Sequence, residues 1–505
     1  MRSCDDINKL LLKGEKIDME CKEAAFQIPR SIYETYSAFA NTYGGTILLG
    51  IREDKKETDP AKRYVVAGVM NPDKTISDFW NTINSDKVSA NILLDENVYS
   101  VEVNGDTVIV IEVPRADYLT RPVYIGENPF KGTFKRNHEG DYHCSRAEVN
   151  AMIRDEYDDG NDGLLLENYT MDDIDLESLH QYRNHFQVVN ADNVWNSLSD
   201  QEFLRMLGGY RYDHEKKAEG LTMAGLLMFG KGLPIRDRFD MLNMDYREET
   251  DVSFDVRWND RITYDGTWEN NLYNFFTKVV PKLTVDFPKP FKLEGIQRID
   301  DTPQHKAVRE AMVNMIIHAD FQFEGTLKVL KKANCLELTN PGILKLPKET
   351  IYKGGISKAR NPRMQVMLRM IGYGDSAGSG FPTILAAWKD KGWGQPDLVE
   401  DTILNQVTLT LPLNSGQEER GVKGTTKETT KETTKETANK TTRESILGII
   451  SDNPQATALD MAHILGLSAD GVRYHLNKMK ADGLIKRVGP TKGGYWEITE
   501  EKNAY

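Results

Sequence analysis

Ala38-Phe39-Ala40-Asn41-Thr42-Tyr43-Gly44-Gly45-Thr46-Ile47-Leu48-Leu49-Gly50-Ile51 places a helix end, a turn and a strand in direct succession. Ile32 to Thr42 reads as helix, and Thr46 to Ile51 is a short apolar run of the kind that forms a buried strand. Gly44-Gly45 permits the tight reversal between them, because glycine adopts backbone angles closed to other residues. Leu10-Leu11-Leu12 predicts a further helix upstream. Downstream, Val98–Val103 and Val108–Val113 flank Asn104-Gly105-Asp106, a hairpin signal. The first 155 residues thus read as one domain mixing helix and strand.

The whole chain is too long for that domain alone: 505 residues imply three or four cores. Hydrophobic residues make up 39% and charged residues 28%, the balance of a water-soluble globular protein. No apolar run is long enough for a membrane span, and Met1-Arg-Ser-Cys-Asp-Asp lacks a secretory core. Cys4, Cys21, Cys144 and Cys335 lie too far apart for a zinc spacing or a disulfide framework, so a reducing cytoplasm is expected. The net charge of -13 argues against indiscriminate coating of nucleic acid and confines any such contact to local basic patches.

The acidic loop Asp158-Asp-Gly-Asn-Asp-Gly163 marks a boundary. Beyond it, residues 165–300 read as a connecting α/β region with a strand near Phe239–Tyr246, and 300–415 as helix, strands, a glycine-rich loop, helix and a final strand at Val407–Leu411. Residues 416–442 form a linker: Thr-Thr-Lys-Glu recurs three times from Thr425, with almost nothing apolar to bury. Residues 443–505 form a last small module.

Two constellations carry chemistry. Glu15, Glu20 and Lys22 precede a helix, and the strand ending at Gly50-Ile51 delivers Glu53 and Asp54. Carboxylates in this pattern suit Mg²⁺ or Mn²⁺, which activates water against a phosphodiester while Lys22 steadies negative charge. A set of ordinary surface charges has the same composition. Farther on, Glu310 and Asn314 stand one turn apart and face the same way on a helix. A Glu there polarises water, and an Asn ligates Mg²⁺ beside ATP phosphates. Asn340-Pro-Gly342 follows a strand, and Gly374–Gly380 precedes a helix whose amides suit a phosphate.

Gly14-Glu15, Glu20-Cys-Lys22, the run from Ala38 to Ile51, Arg121-Pro-Val-Tyr124 and Phe134-Lys-Arg136 together resemble the Schlafen AlbA-type domain over roughly residues 1–155. The resemblance implies nucleic-acid binding. In nucleolytic members two Glu and one Asp form a metal-dependent site that cleaves structured RNA. Glu15 and Glu20 match that pair in spacing. The third place falls to Glu53 or Asp54, and we assign it to Asp54, with Lys22 assisting.

Arg309–Asn314, His318-Ala-Asp-Phe321, Asn340-Pro-Gly342, Arg360-Asn-Pro362 and Ala377–Gly380 resemble the divergent Bergerat ATPase fold of the GHKL superfamily. The branch is the one labelled a RecG-like C-terminal region, and Thr222–Gly230 recurs in the same architecture. The resemblance implies an ATP site drawn from Glu310, Asn314, His318, Asp320, Asn340, Gly342, Gly378 and Gly380, with Asn314 on the metal. One position departs: Leu338 stands where the superfamily has an Asp that reads the adenine amino group.

The last module resembles the winged helix-turn-helix of bacterial regulators. Ser468 caps a helix that exposes Arg473, Tyr474, His475 and Lys478 to DNA, and Lys486, Arg487 and Lys492 sit in a two-stranded wing facing phosphate. The expected protein is therefore a cytoplasmic, homo-oligomeric, multidomain α/β (α+β) regulator of transcription that binds DNA or structured RNA and responds to ATP with Mg or Mn. The alternative is a metal-dependent endoribonuclease acting on tRNA-like RNA, in the setting of phage defence. A third reading is an assembly protein whose domains bind partners.

Overall fold

The computed structural model describes residues 1–57, 59–156, 160–250, 257–288, 293–294, 297–298, 301–374 and 378–414. From 446 onward it describes the short stretches 446–447, 449–451, 453–457, 461, 472, 476, 479–480, 485–488 and 495–498. The chain forms two compact units, Met1–Glu419 and Arg420–Tyr505.

In the first unit, α1 (Cys4–Lys13) starts at a capping box between Ser3 and Asp6. Next come β1 (Met19–Lys22), α2 (Ser31–Asn41) and β2 (Gly45–Leu49), then the hairpin of β3 (Val98–Val103) and β4 (Asp106–Val113). The sheet runs β1-β2-β4-β3, with β1 parallel to β2 and the other pairs antiparallel. Strand alternation splits its apolar residues between two layers. Ile47, Leu49, Ile109 and Ile111 pack with α2 through Ile32, Tyr36 and Phe39, while Leu48, Val108 and Val110 pack with α1 through Ile7 and Leu11. The turn expected at Gly44 needs glycine: φ is +77°, and a Cβ would sit 2.8 Å from the Val113 carbonyl oxygen. In the hairpin both Asn104 (φ 54°) and Gly105 (φ 91°) have positive φ, as a two-residue turn of this hand requires.

After α3 (Arg146–Glu156), the chain builds a larger sheet from β5 (Leu242–Glu249), β6 (Asp260–Thr263), β7 (Gly325–Lys332), β8 (Cys335–Pro341), β9 (Asp397–Asp401) and β10 (Gln406–Pro412). Its order is β6-β5-β7-β8-β10-β9; β5 runs parallel to β7 and the remaining pairs are antiparallel. Three helices, α4 (Pro303–Ile317), α5 (Pro362–Met370) and α6 (Gly380–Lys391), bury residues in the same core, among them Met312, Met367 and Trp388. The connecting α/β region expected over 165–300 packs into the same core as 300–415. One continuous core runs from Leu166 to Leu411, and β5 hydrogen-bonds along its whole length to β7. The signal was hidden because a parallel partner lies some eighty residues away, across α4.

In the second unit Ile446, Ile450, Met461, Val472, Leu476, Met479 and Ile485 share a small core, and β11 (Ile485–Val488) pairs antiparallel with β12 (Tyr495–Ile498). Among the described residues no helix is long and apolar enough to cross a membrane.

Candidate functional site

A cavity partly open to solvent lies between α4, the start of α6 and the larger sheet. Glu310, Asn314 and His318 of α4 and its C-terminus line one side. Leu338, Asn340, Val407 and Leu409 line the sheet side. α4 forms where it does because Thr302 caps it, Pro303 opens it and its apolar residues bury against the sheet. Glu310, on the same helix, is only 8% exposed. Asn314 Nδ2 donates to Glu310 Oε1 at 3.3 Å, so the two residues act as one unit.

The start of α6 approaches this pair closely. A Cβ on Gly380 would stand 2.0 Å from Glu310 Oε1 and 3.2 Å from Asn314 Nδ2. Gly378 has φ +74° and its carbonyl accepts from the Gly355 amide at 3.0 Å, which brings the 355–358 segment beside it. His318 is pushed down to about 4 by burial, with Arg360 and Lys345 adding to the effect, so its ring is neutral at physiological pH.

Two residues expected in the nucleotide site fall elsewhere. Asp320 and Gly342 line a second, smaller cavity where the N-terminal domain meets the larger sheet. Asp320 is spent on Arg154 of α3 at 2.7 Å, and Gly342 (φ +99°) lets Arg360 pass, since a Cβ would lie 3.1 Å from its Nη1. Arg360 donates to both carboxylate oxygens of Asp155, at 2.8 and 2.5 Å, and to the carbonyls of His318 and Ile343. Arg115 grips Glu400 with two bonds of 2.6 and 2.9 Å. In the sequence, Arg360-Asn-Pro362 and Arg121-Pro-Val carry only a motif resemblance, and nothing local marks them as a buried ionic joint.

At the N-terminal acids, Glu15 Oε1 accepts from the Cys21 amide at 2.8 Å. Burial, then Glu20, then Glu53 push the Glu15 carboxyl up to about 7. The acids felt by Glu15 are thus Glu20 and Glu53, whereas Asp54 turns to its own loop and accepts from the Lys56 amide at 3.0 Å. Glu20 is 6% exposed and neutralised by Lys22 at 2.5 Å and by Arg136, whose Nη2 lies 2.8 Å from Oε2. Glu53 pairs with Arg63 at 2.6 Å. Among the described residues no three His, Cys, Asp or Glu side chains gather so as to hold a metal ion. Glu15, Glu20 and Asp54 in this arrangement do not fit the expected metal, because cationic side chains already hold Glu20 and Asp54 is turned away.

In the winged module, Arg473, Tyr474, His475, Lys478 and Lys492 lie outside the described residues. Lys486 is exposed on β11, and the Arg487 guanidinium stacks 4.8 Å over the Trp496 ring of β12.

Family comparisons agree with this layout. Residues 15–145 match the family described as "Schlafen, AlbA_2" and residues 150–245 match "Domain of unknown function (DUF8451)". Residues 328–411 match "Putative ATP-dependent DNA helicase recG C-terminal", a span that begins after Glu310 and Asn314. Residues 440–486 match "Winged helix-turn-helix DNA-binding". No curated protein matches the chain. Among solved structures, a protein of Corynebacterium diphtheriae is 16% identical with a TM-score of 0.38, covering 97% of this chain and 98% of its own. The N-terminal domain of a RecG-related protein from Nitrosomonas europaea is 28% identical with a TM-score of 0.23, over 28% of this chain and 94% of its own. The chain therefore carries regions similar to the Schlafen AlbA_2, RecG C-terminal and winged helix-turn-helix DNA-binding families, a set that points to nucleic-acid binding, on a mixed α/β framework.

Proposed function

We propose that this protein is a nucleic-acid-binding regulator, acting on transcription, whose state is set by ATP in the cavity beside α4. The observation that carries the reading is the coupled pair Glu310–Asn314 facing the glycine-lined start of α6. The pair and the glycines border a pocket with an apolar wall, in the same chain as two nucleic-acid-associated domains. The residues present suit a Mg²⁺-bound nucleotide. Asn314 spends its amide nitrogen on Glu310, which leaves its carbonyl oxygen as the hard donor such an ion takes. Phosphates gain from the amides opening α6, and the apolar wall at Leu338, Val407 and Leu409 takes the base. With Leu338 in place of an acid, the base is held by packing more than by a carboxylate hydrogen bond.

The test is binding of labelled duplex DNA and of structured RNA with and without ATP. A shift in affinity on adding ATP, lost in Asn314→Ala, supports the reading; equal affinities with and without ATP sink it. The same experiment addresses the ribonuclease reading. Mn²⁺-dependent cleavage lost in Glu20→Ala would replace regulation by catalysis, and intact RNA would exclude it.

A further inference from the structure

The cavity has a second, basic wall, which the N-terminal domain backs from behind. Lys345 and Lys358 both line it, and the ring of Tyr118 lies under both: Lys345 Nζ is 4.5 Å and Lys358 Nζ 6.0 Å from its centroid. Tyr118 is 3% exposed and Lys345 only 9%. Next to Lys345, the Leu344 carbonyl accepts from Arg115 Nη2 at 3.2 Å and from Arg121 Nη2 at 3.3 Å, while its amide donates to Glu400 at 2.7 Å. Tyr118, Arg115 and Arg121 thus hold the Leu344–Lys345 stretch of the pocket from outside its own domain.

Cationic side chains outnumber carboxylates here: Arg115, Arg121, Lys345, Lys358 and Arg360 gather against Glu400, Asp155 and Asp320. Arg121 is 3% exposed, and its Nε and Nη1 have no hydrogen-bond partner among the described residues. Burial first, and Arg115 next, draw its guanidinium down to about 9. Positive charge enclosed in this way is costly unless an anion joins it. The 355–358 segment carrying Lys358 is also the one hydrogen-bonded to Gly378 at the start of α6.

We propose that the N-terminal domain completes the nucleotide pocket, with Tyr118 as the residue that positions Lys345 and Lys358 on the polyphosphate and Arg121 backing that wall with positive charge. The phosphate end of the ligand then lies against the domain junction, and the base lies toward Leu338 and Leu409. The N-terminal domain senses whether the pocket holds a triphosphate or an uncharged nucleoside. This rests on the nucleotide reading given above.

The experiment is calorimetric titration of the full-length protein with ATP·Mg²⁺, adenosine and inorganic tripolyphosphate. Variants are Lys358→Ala, Tyr118→Leu and the conservative Tyr118→Phe, with hydrogen exchange followed over residues 115–124. A lost charged contact predicts about tenfold or more weaker ATP binding in Lys358→Ala and Tyr118→Leu. Adenosine affinity should be unchanged, and Tyr118→Phe, which keeps the ring face, should bind ATP as the parent does. ATP, but not adenosine, should slow exchange in 115–124. Equal losses for ATP and adenosine, or no loss for ATP in Lys358→Ala, overturn this inference while leaving the nucleotide reading intact. Absence of ATP binding by the unsubstituted protein defeats both. Lys358 is half-buried on a loop, so its variant stays informative if Tyr118→Leu does not fold.

Discussion

Asp155→Ala should be among the most damaging single changes in the first unit. Asp155 and Arg360 are 5% and 4% exposed, so neither charge has water to fall back on. Removing the carboxylate strips two of the four hydrogen bonds that Arg360 donates and leaves the two to the His318 and Ile343 carbonyls. Breaking one side of a buried pair costs about 3–5 kcal/mol, because the surviving charge stays desolvated. Replacing both partners, as in Asp155→Leu with Arg360→Met, removes that penalty. The double variant should therefore sit closer to the parent than Asp155→Ala does, less about 1 kcal/mol for each of the two carbonyls left without a donor. Urea unfolding read by near-ultraviolet circular dichroism, arranged as a double-mutant cycle, gives the coupling directly. A coupling above about 2 kcal/mol is expected; additivity within about 0.5 kcal/mol would refute the claim that this pair closes the joint between the two domains.

Gly380→Ala places a methyl 2.0 Å from Glu310 Oε1, so either the carboxylate leaves Asn314 or α6 shifts. Overpacking of this kind costs about 1–3 kcal/mol, and the thermal stabilisation by ATP should vanish with it; an unchanged ATP-induced rise in Tm would count against the site. Glu15 has a folded pKa of about 7 against an ordinary 4.5, so the folded state holds its proton more tightly than the unfolded chain. That contribution is complete below pH 4.5, is lost as pH rises toward 7 and is flat above. Glu15→Gln should flatten melting temperature between pH 5 and 7 and raise it at pH 8 relative to the parent; parallel profiles would contradict this. Arg487→Ala should lower the slope of log affinity against log salt for duplex DNA by about one if the wing meets phosphate, and an unchanged slope would remove it from the interface.

The local elements were readable in the sequence because their causes are local. Gly44-Gly45, Asn104-Gly105 and the period-two apolar strands name a turn, a hairpin and a sheet without reference to distant residues. Glu310 and Asn314 were readable for the same reason, since helical spacing alone puts them on one face. The tertiary structure decided everything that depends on long-range pairing. It joined β5 to β7 and so set residues from both sides of position 300 in one core. It sent Asp320 and Gly342 to the domain junction, and it replaced Asp54 by Glu53 beside Glu15. Above all it brought Tyr118, Arg121 and Asp155 of the N-terminal domain against Lys345, Leu344 and Arg360, more than two hundred residues away. Spacing along a chain fixes only neighbours within a turn or a hairpin; which charges meet across a domain boundary depends on how two cores close upon each other, and desolvation at that boundary exists only once they have.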